Sequence, residues 1–223
     1  MQIVTFDDMK NSNQIILELA RQRGILRSRD LLEQNLPRVT ISRLVSEGRL
    51  IQLSRGLYSL PERSMSEQAT YAEVAIRYPN SIFCLYSALQ LHGLTTQTPH
   101  QVWLAVMNRA RSPNLQYPPL KVVRFSDASF AAGCETIVLD GVVRAQVTGV
   151  EKTVVDCFKF RHKIGIDVAI EALQDASRTK RLSMDKVWEF AKICRVSNVM
   201  MPYLESLNGW KWSSCICEGE IKK

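Results

Sequence analysis

The chain has 223 residues and is 46% hydrophobic, enough for a packed core and for one small plus one medium domain, which argues against disorder except at the ends. It carries 29 Lys+Arg against 22 Asp+Glu, a formal charge of +7, which favours polyanionic partners without selecting one. No signal peptide opens it, no apolar run nears membrane-spanning length, and its six scattered cysteines hold no CxxC pair, so a reduced, metal-free, cytoplasmic chain is expected.

The first helix is predicted over Asn11–Arg23, with Ile15, Ile16 and Leu19 as its buried stripe and Gly24 as its stop. Ile25-Leu26 reads as a short strand. Ser28 is placed as N-cap of a helix over Arg29–Gln34, with Leu31 and Leu32 inward, followed by the turn Asn35-Leu36-Pro37. Pro37 fits only a first turn, so the third helix starts near it.

In that helix Ile41, Leu44, Val45 and Gly48 fall at i, i+3, i+4 and i+7, which makes one face apolar. Arg38, Thr40, Ser42, Arg43 and Ser46 are assigned to the other faces, and Gly48 suits the left-handed residue that ends a helix. Leu50–Leu53 and Leu57–Leu60 are strands joined by Ser54-Arg55-Gly56. A polar, basic helix followed by a hairpin with arginine at its tip is the plan of a winged helix-turn-helix. Its helix suits the major groove, and its wing suits a phosphate or the minor groove.

Eight arginines and no lysine lie between Arg21 and Arg55, against three carboxylates. Arginine pairs with phosphate and with guanine edges. A solvated basic face explains the charge alone equally well, and the helix–hairpin pattern tips the reading toward DNA. Arg38, Thr40, Ser42 and Arg43 on the helix, with Arg49 and Arg55 near and on the wing, are the candidate DNA contacts.

Ser64-x-x-Glu67 is a capping box for a helix to about Arg77 with Ala72, Ala75 and Ile76 on its apolar side, stopped by Tyr78-Pro79-Asn80. Leu85–Leu91 reads as a helix ended by Gly93, with His92 as a packed end residue rather than a catalyst. The period then changes. Val102–Met107, Leu120–Phe125, Thr136–Leu139 and Val142–Val147 are strands, the last two joined by Asp140-Gly141. Asn108–Pro119 is a polar loop carrying Arg109 and Arg111.

Thr148-x-x-Glu151 is a second capping box, opening a helix with Val150, Val154, Cys157 and Phe158 inward. Asp167 and Ser183 cap two more, Asn198–Leu207 forms a last short helix, and Asn208–Lys223 is a loose tail carrying Cys215 and Cys217. The expected class is α+β: a winged helix-turn-helix over 1–62, a mixed α/β domain of helices, small sheet and helices over 63–207, and the tail over 208–223.

No P-loop, GxGxxG, GxSxG or metal-spaced His pair occurs, and the sheet region lacks a nuclease Asp…Glu-x-Lys. No catalytic residue, cofactor or metal ligand is therefore assigned. Asp156 is read as a helix-face partner of Lys152 or Lys159 rather than as a catalytic acid. Lys159, Arg161, His162 and Lys163 read equally as an anion-binding cluster or as a solvated helix end, and Lys159, Arg161 and Lys163 are kept as a candidate partner site.

The string Leu44, Val45, Glu47, Gly48, Leu50, Leu53, Arg55, Gly56 and Tyr58 resembles the winged-helix domain of AbiEi-type antitoxins, the transcriptional-regulator half of type IV toxin–antitoxin systems. SALQLHGL (Ser87–Leu94) and EKTVVDCFKFR (Glu151–Arg161) are similar to their second domain more weakly, and the tail has no counterpart. The resemblance implies a repressor that binds inverted repeats in double-stranded DNA of its own promoter. It also implies neutralisation of a nucleotidyltransferase-like toxin from the same operon, often without a stable complex. Two other classes fit the residues: a nuclease or nucleotide-modifying enzyme guided by the winged helix, and a protein-interaction module that does not bind DNA.

Overall fold

In a computed structural model, residues 6–34, 36–62, 68–97, 99–115 and 117–208 are described. The Ser64–Glu67 capping box, Asn35 of the predicted turn, and the tail beyond residue 208 with Cys215 and Cys217 lie outside the described residues. The chain forms two compact units, Met1–Asn80 with Thr136–Gln146, and Ser81–Glu135 with Val147–Lys223.

In the first unit, α1 (Phe6–Arg23) is followed by β1 (Ile25–Arg27), α2 (Ser28–Leu32), α3 (Arg38–Ser46), β2 (Ile51–Ser54) and β3 (Leu57–Ser59). The three strands form an antiparallel sheet of order β1-β3-β2. This is a winged helix. Ile16, Leu17 and Ala20 of α1 meet Leu26, Leu31, Leu36, Ile41, Leu44 and Leu50 in its core. The buried stripe of α1 thus lies one position on from the expected one: Ile15 is 39% exposed and Leu17 takes its place.

Ser28 does not cap α2 but starts it, with Arg27 in the cap position. Its N–H and its hydroxyl both donate to the Gly56 carbonyl, at 2.9 and 3.3 Å, so the start of α2 is fastened to the wing turn. Pro37 is the N-cap of α3. At the other end Gly48 takes φ +69, while Arg49 N–H bonds Leu44 O at 2.9 Å and Gly48 N–H bonds Val45 O at 3.0 Å. That pair of bonds is a Schellman stop, which glycine alone accommodates without strain. The wing loop is shorter than expected, because Ser54 ends β2 and only Arg55-Gly56 turns.

Helix α4 (Ala69–Arg77) belongs to the same unit, so the boundary expected at residue 62 falls inside it. Arg77 Nη2 donates to Ser54 Oγ at 2.7 Å, tying α4 to the end of β2. The unit is completed by the far part of a hairpin made by β7 (Cys134–Leu139) and β8 (Val143–Thr148). Asp140 and Gly141 turn it with φ +48 and +75, the type I′ geometry that an Asp-Gly pair favours.

The second unit adds β4 (Ile82–Phe83), α5 (Tyr86–His92), β5 (Val102–Met107), β6 (Leu120–Phe125) and α6 (Asp127–Ala131). It continues with α7 (Val150–Lys159), α8 (Arg161–Ile164), α9 (Ile166–Arg178), α10 (Met184–Cys194) and α11 (Ser197–Asn208). The five-stranded sheet has the order β6-β5-β4-β8-β7, with β4 antiparallel and β6 parallel to β5. Val102 through Val106 are all buried, as a strand covered on both faces requires.

Helix α7 lies at the centre of the second core, beside Leu89, Phe125, Leu173, Val187 and Met200. Val150, Val154, Cys157 and Phe158 are buried as expected, and so are Lys152, Thr153 and Asp156. The Thr148–Glu151 capping box does not form. Gly149 is the N-cap, Thr148 Oγ1 lies 2.7 Å from Thr153 Oγ1, and Glu151 Oε1 accepts from Ser183 N–H at 3.4 Å instead. Gly165 rather than Asp167 precedes α9, and Ser183 precedes α10 without a side-chain cap bond.

Candidate nucleic-acid interface

Nine residues make α3, and their burial divides them sharply. Ile41 and Leu44 are closed into the core, while Arg38, Val39 and Ser42 are exposed. Thr40, expected on an outer face, is 5% exposed. It sits one turn before Leu44 and beside Ile41, so helical geometry carries it inward.

Arg43 is half-buried and engaged with its own unit. Its Nη2 donates to Asn13 Oδ1 of α1 at 2.9 Å, and its Nε lies 3.5 Å from Glu47 Oε1. Glu47 also draws Arg49, whose Nη1 is 3.8 Å from Glu47 Oε2. Ion pairs this exposed are worth little in water and give way readily to a phosphate. Ser46 turns its hydroxyl back to Arg43 O at 2.8 Å. Arg55 stands exposed at the turn of the wing.

The structure therefore presents Arg38, Ser42, Arg49 and Arg55 to solvent, withdraws Thr40, and uses Arg43 as a brace between α3 and α1. Val39 is a further exposed residue of α3. The spacing signals it: Val39, Ser42, Arg43 and Ser46 fall at i, i+3, i+4 and i+7, so Val39 is the apolar member of the outward row.

In the second unit, the candidate partner residues are partly absorbed by the fold. Lys159 Nζ lies 3.4 Å from Ser129 Oγ and 5.7 and 5.6 Å from the Phe125 and Phe160 ring centroids. Arg161 Nη1 donates to Phe158 O at 3.0 Å, and Lys163, which is exposed, lies 5.6 Å from the Phe160 ring centroid. Lys159 and Lys163 thus share one aromatic ring.

Asp156 pairs with Lys152 inside the core rather than on a surface face. His92 Nε2 lies 2.7 Å from Thr148 O, a packing bond at a helix end. Burial pushes the Cys84 and Cys157 thiols well above their ordinary range, so neither supplies a thiolate nucleophile near neutral pH. Among the described residues no cluster of His, Cys, Asp or Glu has the makings of a metal site, and no helix is long and apolar enough to cross a membrane.

A winged helix with an exposed arginine on its third helix and another on its wing has the architecture of a DNA-binding regulator. Residues 14–61 match the model of the family described as "Transcriptional regulator, AbiEi antitoxin". The matched family is one of transcriptional regulators, in keeping with a DNA-binding antitoxin regulator. Among solved structures, the RV2827C protein from Mycobacterium tuberculosis is similar, with a TM-score of 0.53 and 16% identity over 86% of this chain and 77% of that chain. At that identity the likeness is one of fold. Among curated proteins none matches the chain in sequence.

Proposed function

We propose that the protein is a cytoplasmic autorepressor and antitoxin that binds inverted repeats in its own promoter and neutralises a nucleotidyltransferase-like toxin from the same operon. The observation that carries the DNA half is the division of α3: Ile41 and Leu44 sealed inward, Arg38 and Ser42 turned outward. Arg38 and Ser42 contact base edges near the start of the helix. Arg49 and Arg55 contact phosphate or the minor groove, and Arg43 holds α3 at its angle to α1.

The antitoxin half is assigned to the second unit. There Lys163, with Lys159 and Arg161 beside it, offers positive charge to an acidic partner. The split of roles gives DNA binding to the first unit and neutralisation to the second.

The test is a gel shift on the DNA upstream of the protein's own gene. Arg38→Ala should weaken binding by about 1–3 kcal/mol, the worth of a bidentate base contact. Arg55→Ala should weaken all sequences alike and lower the salt slope by about 1. Absence of binding by the wild-type chain, or an Arg38→Ala variant that binds as wild type does, removes the reading. For the antitoxin half, co-expression with the neighbouring nucleotidyltransferase-like gene should restore growth, and Lys159→Glu/Lys163→Glu should weaken the rescue.

A further inference from the structure

Val39 is 77% exposed, on a helix whose Ile41 and Leu44 are closed into the core. A single exposed aliphatic side chain on an ordinary surface needs no explanation. This one occupies the second position of α3, directly after Arg38 and one turn before Ser42. The N-terminal residues of a recognition helix are the ones that meet base edges. In the major groove the apolar feature a base pair offers is the thymine 5-methyl group.

We infer that Val39 packs against a thymine 5-methyl group and fixes a T·A pair at one position of each DNA half-site. The inference rests on the DNA-binding reading above and adds a base to it. Valine is suited to the task, because in a helix its branched Cβ holds essentially one χ1 rotamer, so its methyl groups are already placed. Arg38 and Ser42 on either side supply polar readers for adjoining base pairs. The rest of the outward row is turned elsewhere, Arg43 toward Asn13 and Ser46 toward Arg43 O. A cytosine at the same place would present hydrogen at C5 and an amine nearby, leaving Val39 against a polar edge.

Uracil isolates the contact, because it differs from thymine by the methyl group alone. Duplexes are selected from a random library by the full-length wild-type chain, and each thymine of the selected site is then replaced singly by deoxyuridine. At one thymine per half-site the replacement should weaken wild-type binding about fourfold, the worth of one buried methyl group. Val39→Ser should bind the thymine and uracil duplexes equally, with Val39→Ala as a second variant of unchanged helix propensity or better. Wild-type binding that ignores uracil at every position, while Arg38→Ala still weakens it, overturns the Val39 contact and leaves the DNA reading standing. The same holds if uracil sensitivity persists undiminished in both Val39 variants. If no duplex is selected at all, the DNA reading falls and takes this contact with it.

Discussion

Lys152 Nζ lies 2.6 Å from Asp156 Oδ1, one turn apart on α7, and neither side chain has any exposure to solvent. Cys194 Sγ sits 3.6 Å from the same carboxylate oxygen, and the Phe125 ring centroid is 4.6 Å from the ammonium. Taking one partner away leaves the other charged in an apolar core. Lys152→Met should therefore cost about 3–5 kcal/mol, whereas Lys152→Met/Asp156→Leu should cost much less. Urea unfolding of the three chains checks this. Equal losses in the single and double variants would show that packing, not charge, matters here.

The pair also sets a direction for pH dependence. Burial pushes the Asp156 carboxyl above its ordinary value, against the pull of Lys152 and Lys159. The folded chain then holds that proton more tightly than the unfolded chain does. The group's contribution is full below its unfolded-state value and is lost as pH rises through the raised one. Wild type should lose stability relative to Asp156→Asn as pH climbs above the ordinary carboxylate range. A slope of opposite sign would mean that the attraction of Lys152 outweighs burial.

Gly133 leaves the room Lys152 needs. It takes φ +64, and a Cβ there would fall 2.7 Å from Lys152 Cβ and 2.9 Å from Phe190 Cζ. Gly133→Ala meets both a backbone penalty and a clash, and is expected to cost about 1–3 kcal/mol. The checking measurement is a thermal melt beside Gly141→Ala, whose φ is also positive at +75 but whose Cβ would meet nothing within 4 Å. Gly133→Ala should be the worse of the two.

The bond from Arg43 to Asn13 should behave as a brace. Arg43→Ala and Asn13→Ala are each expected to lower stability, with a coupling of about 1 kcal/mol in the double-mutant cycle. In DNA binding, Asn13→Ala should reproduce part of the Arg43→Ala loss although Asn13 lies on another helix. A loss confined to Arg43→Ala would make the guanidinium a direct DNA contact.

Arg124 gathers the loop that follows β5. Its Nη1 donates to Met107 O, Asn108 O and Ala110 O at 3.3, 2.6 and 3.0 Å, and its Nη2 to Ser112 Oγ at 2.9 Å. Arg124→Ala should release residues 108–112 with little effect on global stability. Faster amide exchange at Ala110 would register this, and unchanged exchange would contradict it.

The elements with a full helical or strand period were legible before any coordinates. Ile41, Leu44 and Gly48 announced α3 and its stop, and Asp140-Gly141 announced the hairpin. Short pieces were not, since five residues of α6 and four of α8 do not complete a recognisable period. Thr40 is buried because its i, i+4 relation to Leu44 outweighs the polarity that suggests an outer face. Lys152 and Asp156 share that spacing, which on most helices marks a wet face. Only the surrounding apolar elements, contributed from far along the chain, decide that this face is dry. At the candidate interface, arginine content draws attention to α3 and the wing, but residue type does not reveal that Arg43 donates to Asn13.

Because Thr136–Gln146 clusters with residues from the beginning of the chain, the first unit is not contiguous. On the ribosome, its N-terminal residues must wait for Gln146 to emerge before their full set of neighbours exists. For the same reason, a gene fragment stopped after Asn80 would encode a unit lacking one of its own walls. An excised version would have to carry that hairpin as a graft.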